Sequence, residues 1–393
     1  MLKETIKTLA KNYAPEFIQV RNHLHAYPEL SYQEFETSKY VQAKLASFNI
    51  PFEVKATTGV VGLIHGKNPG SRVIALRADM DALPILEENN VPYRSKHDGI
   101  MHACGHDVHT TCLLGAAKIL HETKEEWEGT VKLIFQPGEE KNPGGASLMI
   151  KENVLNDPRP SAIFGLHVNP QLETGKLSFR QGKVMASADE LYFTIKGKGG
   201  HAASPQTCID PVLIASHLVV SLQQVISRNR NPFLPSVLSI TAISGGNTTN
   251  VIPDEVKLMG TFRAMDEEWR TKAHKLIEQH THDLVHAMGG EADIHIDKGY
   301  PAVYNNEELH EKAKHLAAEY IGADNVEETE MRMGAEDFGY YSQIIPGCFY
   351  RLGTGSKSKG ITAGVHTPHF NIDEDAIEIG IGVMAWMGAG FKY

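Results

Sequence analysis

An α/β fold interrupted by a smaller inserted domain is what this 393-residue sequence predicts. Three observations carry that expectation. The first 180 residues or so alternate helix-period and strand-period hydrophobic patterns, the grammar of a mostly parallel sheet covered by helices. Between 185 and 296 the order becomes βαββαβ, the arrangement of a split ferredoxin-like unit. Helical patterns then resume, and because single apolar cores stop growing at roughly 250–300 residues, a chain of this length divides. The expected division is 1–184 and 297–393 as two parts of one α/β domain, with 185–296 inserted between them.

In order, "MLKETIKTLAKNYAPEF" reads as an amphipathic helix; charges run through it, so it lacks the apolar core of a secretory signal. "ETSKYVQAKLASF" reads as a second helix, over 34–47, and Ser31-Tyr32-Gln33-Glu34 before it fits a capping box. His23 and His25, just upstream, fit packing or hydrogen bonding better than metal binding. "RVIALRADMDALP" is a strand with a charged end, "DVHTTCLLGAAKILHE" a helix, and "TVKLIFQPGEE" and "AIFGLHVNP" buried strands ending in polar residues. Ligands gather at the carboxyl ends of such strands, where this reading puts Asp79 and Asp81, Glu139 and Glu140, and His167. Inside the insertion we expect strands at 189–197, 236–243, 256–264 and 292–296, and helices at 210–229 and 267–288. Asp210 is the N-cap of the first of these helices and Pro211 its first-turn proline. Helices near 307–320 and 373–389 and a strand at "CFYRLG" complete the chain.

Charge and composition exclude several classes. With 38 basic and 48 acidic side chains the net charge is -10, and no basic block occurs, which argues against a sequence-independent nucleic-acid binder. No run approaches the ~18 unbroken apolar residues of a membrane span. Four cysteines (Cys104, Cys112, Cys208, Cys348) are too few for a disulfide scaffold, so reduced thiols and a cytoplasmic location are expected.

The chemistry concentrates in a few short stretches. "MHACGHDVHT", 101–110, holds three histidines, a cysteine and an aspartate at a helix start. Cys104 and His106, two apart, form a borderline-soft ligand pair suited to zinc and its neighbours. Alone, the pair reads more readily as a helix cap beside a small buried thiol. "FQPGEE" sets two adjacent carboxylates, Glu139 and Glu140, after an apolar strand; neighbouring residues point apart, so one can bind metal while the other handles a water proton. "GLH" adds His167, and "GVHTPHF" adds His366 and His369. Together the clusters point to a metal site. Competing motifs fail: "HETKE" lacks the second histidine of H-E-x-x-H, and there is no G-x-S-x-G elbow or P-loop. "GKGGHA" has no ribose-binding acid at the required spacing, since no acidic residue occurs between Asp210 and Asp254.

Taken with "RNHLHAYPELSYQE", "RADMDALP", "GKGGHAASP", "NVIPDEVKLMGTFR", "MGAEDF" and "HTPHFNIDED", these stretches resemble the M20 metallopeptidase family over essentially the whole chain. The resemblance is to its amidohydrolase branch, the N-acyl-amino-acid, hippurate and auxin-conjugate hydrolases. It implies a metal-binding α/β domain with an inserted lid and two divalent ions per subunit, drawn from zinc, manganese, cobalt and nickel. By that resemblance Cys104 bridges the ions, His106 and His167 complete one site, and Glu140 and His366 complete the other. His369 stays outside this set. Glu139 is the implied general base, and Asp79 a carboxylate orienting a ligand histidine. From the lid, His201 would polarise the scissile carbonyl, Asn250 would be a second donor, and Arg263 would hold the substrate carboxylate. Gln206 stands where many relatives carry histidine, which bears on selectivity.

The implied activity is hydrolysis of N-acyl-L-amino acids by a metal-activated water, on a small-molecule substrate, by a homodimer joined through the lid. A dipeptidase or carboxypeptidase would use the same machinery. A thiol hydrolase built on Cys104 would leave Glu139, Glu140 and His167 without a task, and a non-catalytic binding protein would not need the full donor set.

Overall fold

The computed structural model describes residues 1–392. The chain forms two compact units: Met1–Val184, Tyr304–Met331 and the residues from Tyr340 onward make the larger, and Met185–Val303 with Arg332–Gly339 the smaller. The second division falls after Val303, not after 296, because the last strand of the smaller unit is longer than its apolar residues suggest and stays paired as far as Lys298↔Asp189. The stretch 332–339 joins the smaller unit through backbone bonds from Ala186 N–H to the carbonyls of Arg332 (3.2 Å) and Gly334 (3.1 Å). It has no hydrophobic period that could announce this.

Along the larger unit run α1 (Leu2–Ala26), α2 (Phe35–Ser47), β1 (Phe52–Lys55), β2 (Gly59–His65), β3 (Val73–Asp79), α3 (His106–Glu122), β4 (Thr130–Gln136), α4 (Gly145–Lys151), β5 (Ala162–Glu173) and β6 (Leu177–Phe179). The smaller unit follows with β7 (Asp189–Lys196), α5 (Pro211–Ser221), α6 (Gln223–Asn229), β8 (Ser236–Ser244), β9 (Glu255–Ala264), α7 (Glu267–Ala287) and β10 (Glu291–Lys298). The chain then returns with α8 (Glu307–Ile321), β11 (Val326–Glu328), β12 (Gly347–Gly355) and α9 (Ala376–Gly390).

The large sheet has eight strands in the order β1-β2-β4-β3-β5-β12-β6-β11. Its centre, β4-β3-β5-β12, is parallel, and antiparallel pairs occur only towards the sides. Helices cover a parallel sheet on both faces, which is why β4 is buried at all seven positions. Lys132 is tolerated there because its ammonium donates to the carbonyls of Val154 (2.9 Å) and Asn156 (2.5 Å). α3 is buried nearly all round, packed against α1 and α9 in one core.

The smaller unit has its own core and a four-stranded antiparallel sheet ordered β8-β9-β7-β10. Numbered within the unit this is 2-3-1-4, the split ferredoxin-like arrangement of a βαββαβ chain. β7 alternates buried and exposed positions, as a sheet with one solvated face requires. Asp210 caps α5 by accepting from Val212 N–H (2.8 Å) and Leu213 N–H (3.2 Å). The expected 210–229 helix is two, α5 and α6, meeting at Leu222. Beneath the sheet, Asp189 accepts from Arg270 Nη2 (2.5 Å), Arg270 Nε (3.0 Å) and His274 Nε2 (2.8 Å). Burial acts to raise its carboxyl pKa, but these donors outweigh burial and hold it below the usual range.

Candidate metal centre

The centre is built at the carboxyl ends of β3 and β4 and at the entry to α3. Gly105 separates Cys104 from His106 and stands at the N-cap of α3 with φ +84°. A Cβ there would lie 2.5 Å from Val168 Cγ2, so only glycine lets the thiol and imidazole approach β5 together. His106 Nδ1 lies 2.8 Å from the Asp81 carbonyl and 3.2 Å from Asp81 Oδ1. Both are acceptors, so Nδ1 carries a proton, and the buried Nε2 has no hydrogen-bond partner among the described residues. His167 Nδ1 likewise donates to the Val168 carbonyl at 2.8 Å, leaving Nε2 3.6 Å from Cys104 Sγ.

His366 arrives from a distant loop with φ +60°, a conformation rare outside glycine, held by its N–H donating to the Ala103 carbonyl at 2.7 Å. Its Nε2 is 3.3 Å from Cys104 Sγ and 3.1 Å from Glu140 Oε1. Glu139 and Glu140 follow β4, and their N–H groups donate to Asp81 Oδ1 and Oδ2, both at 2.9 Å. The potential ligand atoms of Cys104, His106 and His167 lie within 4.8 Å of one another, and so do those of Cys104, Glu140 and His366. The Cys104 sulfur is common to both groups.

Electrostatics agree with a cation-binding role. Burial, with Glu140, Glu139 and Asp79 nearby, pushes the Cys104 thiol pKa well above its ordinary range. Burial acts to lower that of His106, but Asp79, Asp81 and Glu140 outweigh it and raise it to about 10. So much buried negative charge around a thiol asks for positive charge among the donors.

Three expectations need correction. Asp79 does not orient one of these donors: its Oδ1 is 2.5 Å from His109 Nδ1, whereas His106 Nε2 is 3.8 Å from its Oδ2. Asp81, two residues on, holds His106. His109 Nε2 accepts from Val168 N–H at 2.9 Å, so both its nitrogens are used. The Ser31–Glu34 capping box is also absent. Ser31 donates to Asp81 Oδ2 (2.6 Å), and the first amides of α2 donate instead to Glu29: Glu36 N–H at 3.1 Å and Thr37 N–H at 2.8 Å. His167 is not at a strand end either. β5 runs on to Glu173, and His167 lies two residues past Gly165, where pairing with β3 stops. His25 hydrogen-bonds the buried Asp107 (2.8 Å), His23 stacks on Tyr40, and His369 pairs with Glu88 at 3.1 Å, outside the donor groups.

Within the smaller unit, His201 and Val251 pair across a two-stranded ribbon, and Ala202 N–H donates to the Asn250 carbonyl at 3.0 Å. That brings His201 and Asn250 together. Ala203 N–H donates to His201 Nδ1 at 3.0 Å, so the exposed Nε2 carries the proton and is a donor. Arg263 lies on β9 opposite Val237, away from that ribbon in register. Its guanidinium makes no hydrogen bond or ion pair among the described residues.

A family model described as peptidase family M20/M25/M40 matches residues 75–387. The chain belongs to that family. Among its relatives is IAA-amino acid hydrolase ILR1-like 4 of Arabidopsis thaliana, 41% identical over 392 residues, covering 98% of this chain and 88% of that protein. An N-acetylcysteine deacetylase of Bacillus subtilis is 39% identical over 371 residues, covering 94% and 95%. The crystal structure of the Bacillus subtilis YXEP protein, described as a dinuclear metal binding peptidase from the M20 family, superposes with a TM-score of 0.83 at 35% identity, covering 96% and 98%. This M20 chain is thus an enzyme of the family's amidohydrolase branch. No helix among its described residues is long and apolar enough to cross a membrane.

Proposed function

We propose that this M20 enzyme hydrolyses the amide bond of N-acyl-L-amino acids, using two divalent metal ions held around Cys104. One observation carries the reading: a single buried sulfur is shared by two donor groups, and Glu139 sits beside the donor Glu140. The residues fit such ions. The two histidines fixed on β5 and α3 keep their Nδ1 protons engaged, leaving Nε2 lone pairs for metal, and the donor set mixes sulfur, nitrogen and oxygen. His106 and His167 would complete one site, Glu140 and His366 the other. Divalent ions bound there lower the pKa of a water and polarise a carbonyl.

The chain's own groups do the rest. Glu139, its main chain fixed by Asp81, takes the proton from the attacking water and returns it to the leaving amine. His201 Nε2–H and Asn250 donate to the carbonyl oxygen as charge develops, and the unpaired Arg263 guanidinium receives the substrate carboxylate. Asp79 acts at one remove, through His109.

The test is a panel of N-acetyl, N-benzoyl and longer N-acyl amino acids, with dipeptides alongside, before and after chelation and metal add-back. We expect chelator-sensitive cleavage of the N-acyl compounds, restored by one of zinc, manganese, cobalt or nickel. Cleavage of dipeptides alone would replace this reading with a peptidase. Full activity of a demonstrably metal-free preparation would remove the metal mechanism altogether.

We further propose that 185–296 forms the body of an inserted lid through which two copies pair. β8 supports this: it is a nine-residue, uncharged edge strand, and Val237 and Ile243 on it are exposed, as are Leu213 and Val220 on α5. Sedimentation velocity of the full chain should give a dimer; a monomer at micromolar concentration would dismiss the pairing. Four free cysteines accord with a cytoplasmic location, which fractionation of the source cells would check.

A further inference from the structure

We propose that Tyr32 and Glu34 are positioning residues that clamp the loop carrying Glu139 and Glu140, an inference that rests on the reading of Glu139 as the base. The clamp is made of side chains meeting backbone. Glu34 Oε1 accepts from Gly138 N–H at 2.8 Å and from Tyr32 N–H at 2.9 Å, and Oε2 accepts from the Thr58 hydroxyl at 2.9 Å. The Tyr32 hydroxyl donates to the Lys141 carbonyl at 2.5 Å and accepts from Gly144 N–H at 3.0 Å. Asp81, itself held by Ser31, takes the intervening amides of Glu139 and Glu140. Backbone groups at 138, 139, 140, 141 and 144 are therefore each tied to a side chain, three of these five to Tyr32 or Glu34.

The fit is mutual. Gly138 has φ +56°, and a Cβ there would lie 2.2 Å from Tyr32 Cε1, so the ring lies against the open face of the glycine. Tyr32 itself has φ +67°, an uncommon conformation for a bulky residue, and its N–H is satisfied by Glu34. The Glu34 carboxyl is fully buried. Burial and the neighbouring Asp81 push its pKa up to about 7, so its position is unfavourable to the carboxylate apart from what the donors supply. Since Glu29 takes the first amides of α2, Glu34 is not occupied as a helix cap. Its role is at the loop.

The test uses the full-length, metal-loaded enzyme. Tyr32→Phe removes one oxygen and keeps the ring. We expect kcat to fall about 10–100-fold, the size typical of lost outer partners and of small misplacements of a reacting group. KM should stay within about threefold, two ions per chain should be retained, and amide hydrogen exchange over 138–144 should accelerate. Glu34→Ala should behave alike, and Glu34→Gln, which keeps an acceptor for Gly138 N–H, should recover most of the rate. Wild-type kcat with unchanged exchange in Tyr32→Phe would overturn the clamp, and so would a loss of kcat without faster exchange in the loop. If Glu34→Ala does not fold, Tyr32→Phe decides. Glu139→Gln measured in parallel separates the two ideas: full activity there would remove the base assignment, while the exchange data would still judge the clamp.

Discussion

Glu139→Gln is expected to lower kcat by about 10²–10⁴-fold while the enzyme keeps two metal ions per chain. The substitution is isosteric and leaves the main-chain bond from residue 139 to Asp81 in place. It removes only the ability to take up and return a proton. A thousandfold loss is about 4 kcal/mol of transition-state stabilisation, within what one positioned acid–base group supplies. Glu140, the adjacent carboxylate, belongs to a donor group with Cys104 and His366, so its loss should act on metal retention instead. Steady-state kinetics combined with elemental analysis decides the matter. An activity within threefold of wild type would take the base role from Glu139.

Cys104→Ala is expected to abolish measurable turnover and to reduce metal content from two ions per chain to one or none. Its sulfur is the donor common to both groups, so its removal takes a ligand from each site at once. Loss of an outer hydrogen-bond partner typically weakens metal binding 10–100-fold; losing a shared direct ligand should exceed that at both sites. Metal content is the informative measurement. A thiol-nucleophile mechanism would also lose activity in Cys104→Ala, but its metal content would be unchanged and Glu139→Gln would remain active.

Comparison of the two carboxylates on the β3 exit shows where reading from sequence stops. Asp79 and Asp81 are equivalent in the string "RADMDALP", and either could serve a histidine. Which one does depends on β3 ending at Asp79, in register with Gln136, so that Asp81 turns beneath the Glu139–Glu140 loop and reaches His106. The S-x-x-E pattern at 31–34 fails for a related reason. Local capping would satisfy one helix end, but Glu29 also reaches that end, and Glu34 and Tyr32 instead accept from the buried amides of Gly138 and Gly144.

The sequence by itself determined the order and type of most elements, the change to βαββαβ grammar near 185, and the pool of soft and hard donors at Cys104, His106, Glu139, Glu140, His167 and His366. Those are properties of hydrophobic period and residue chemistry, which act over a few positions. Tertiary structure alone decided that one sulfur serves two donor groups, that Asp81 holds His106 while Asp79 holds His109, and that residues 31–34 clamp a loop a hundred positions away. A hydrogen bond needs its partners placed to within a few tenths of an ångström. Strand register and core packing set such placement between distant segments, and neither is written in the local pattern.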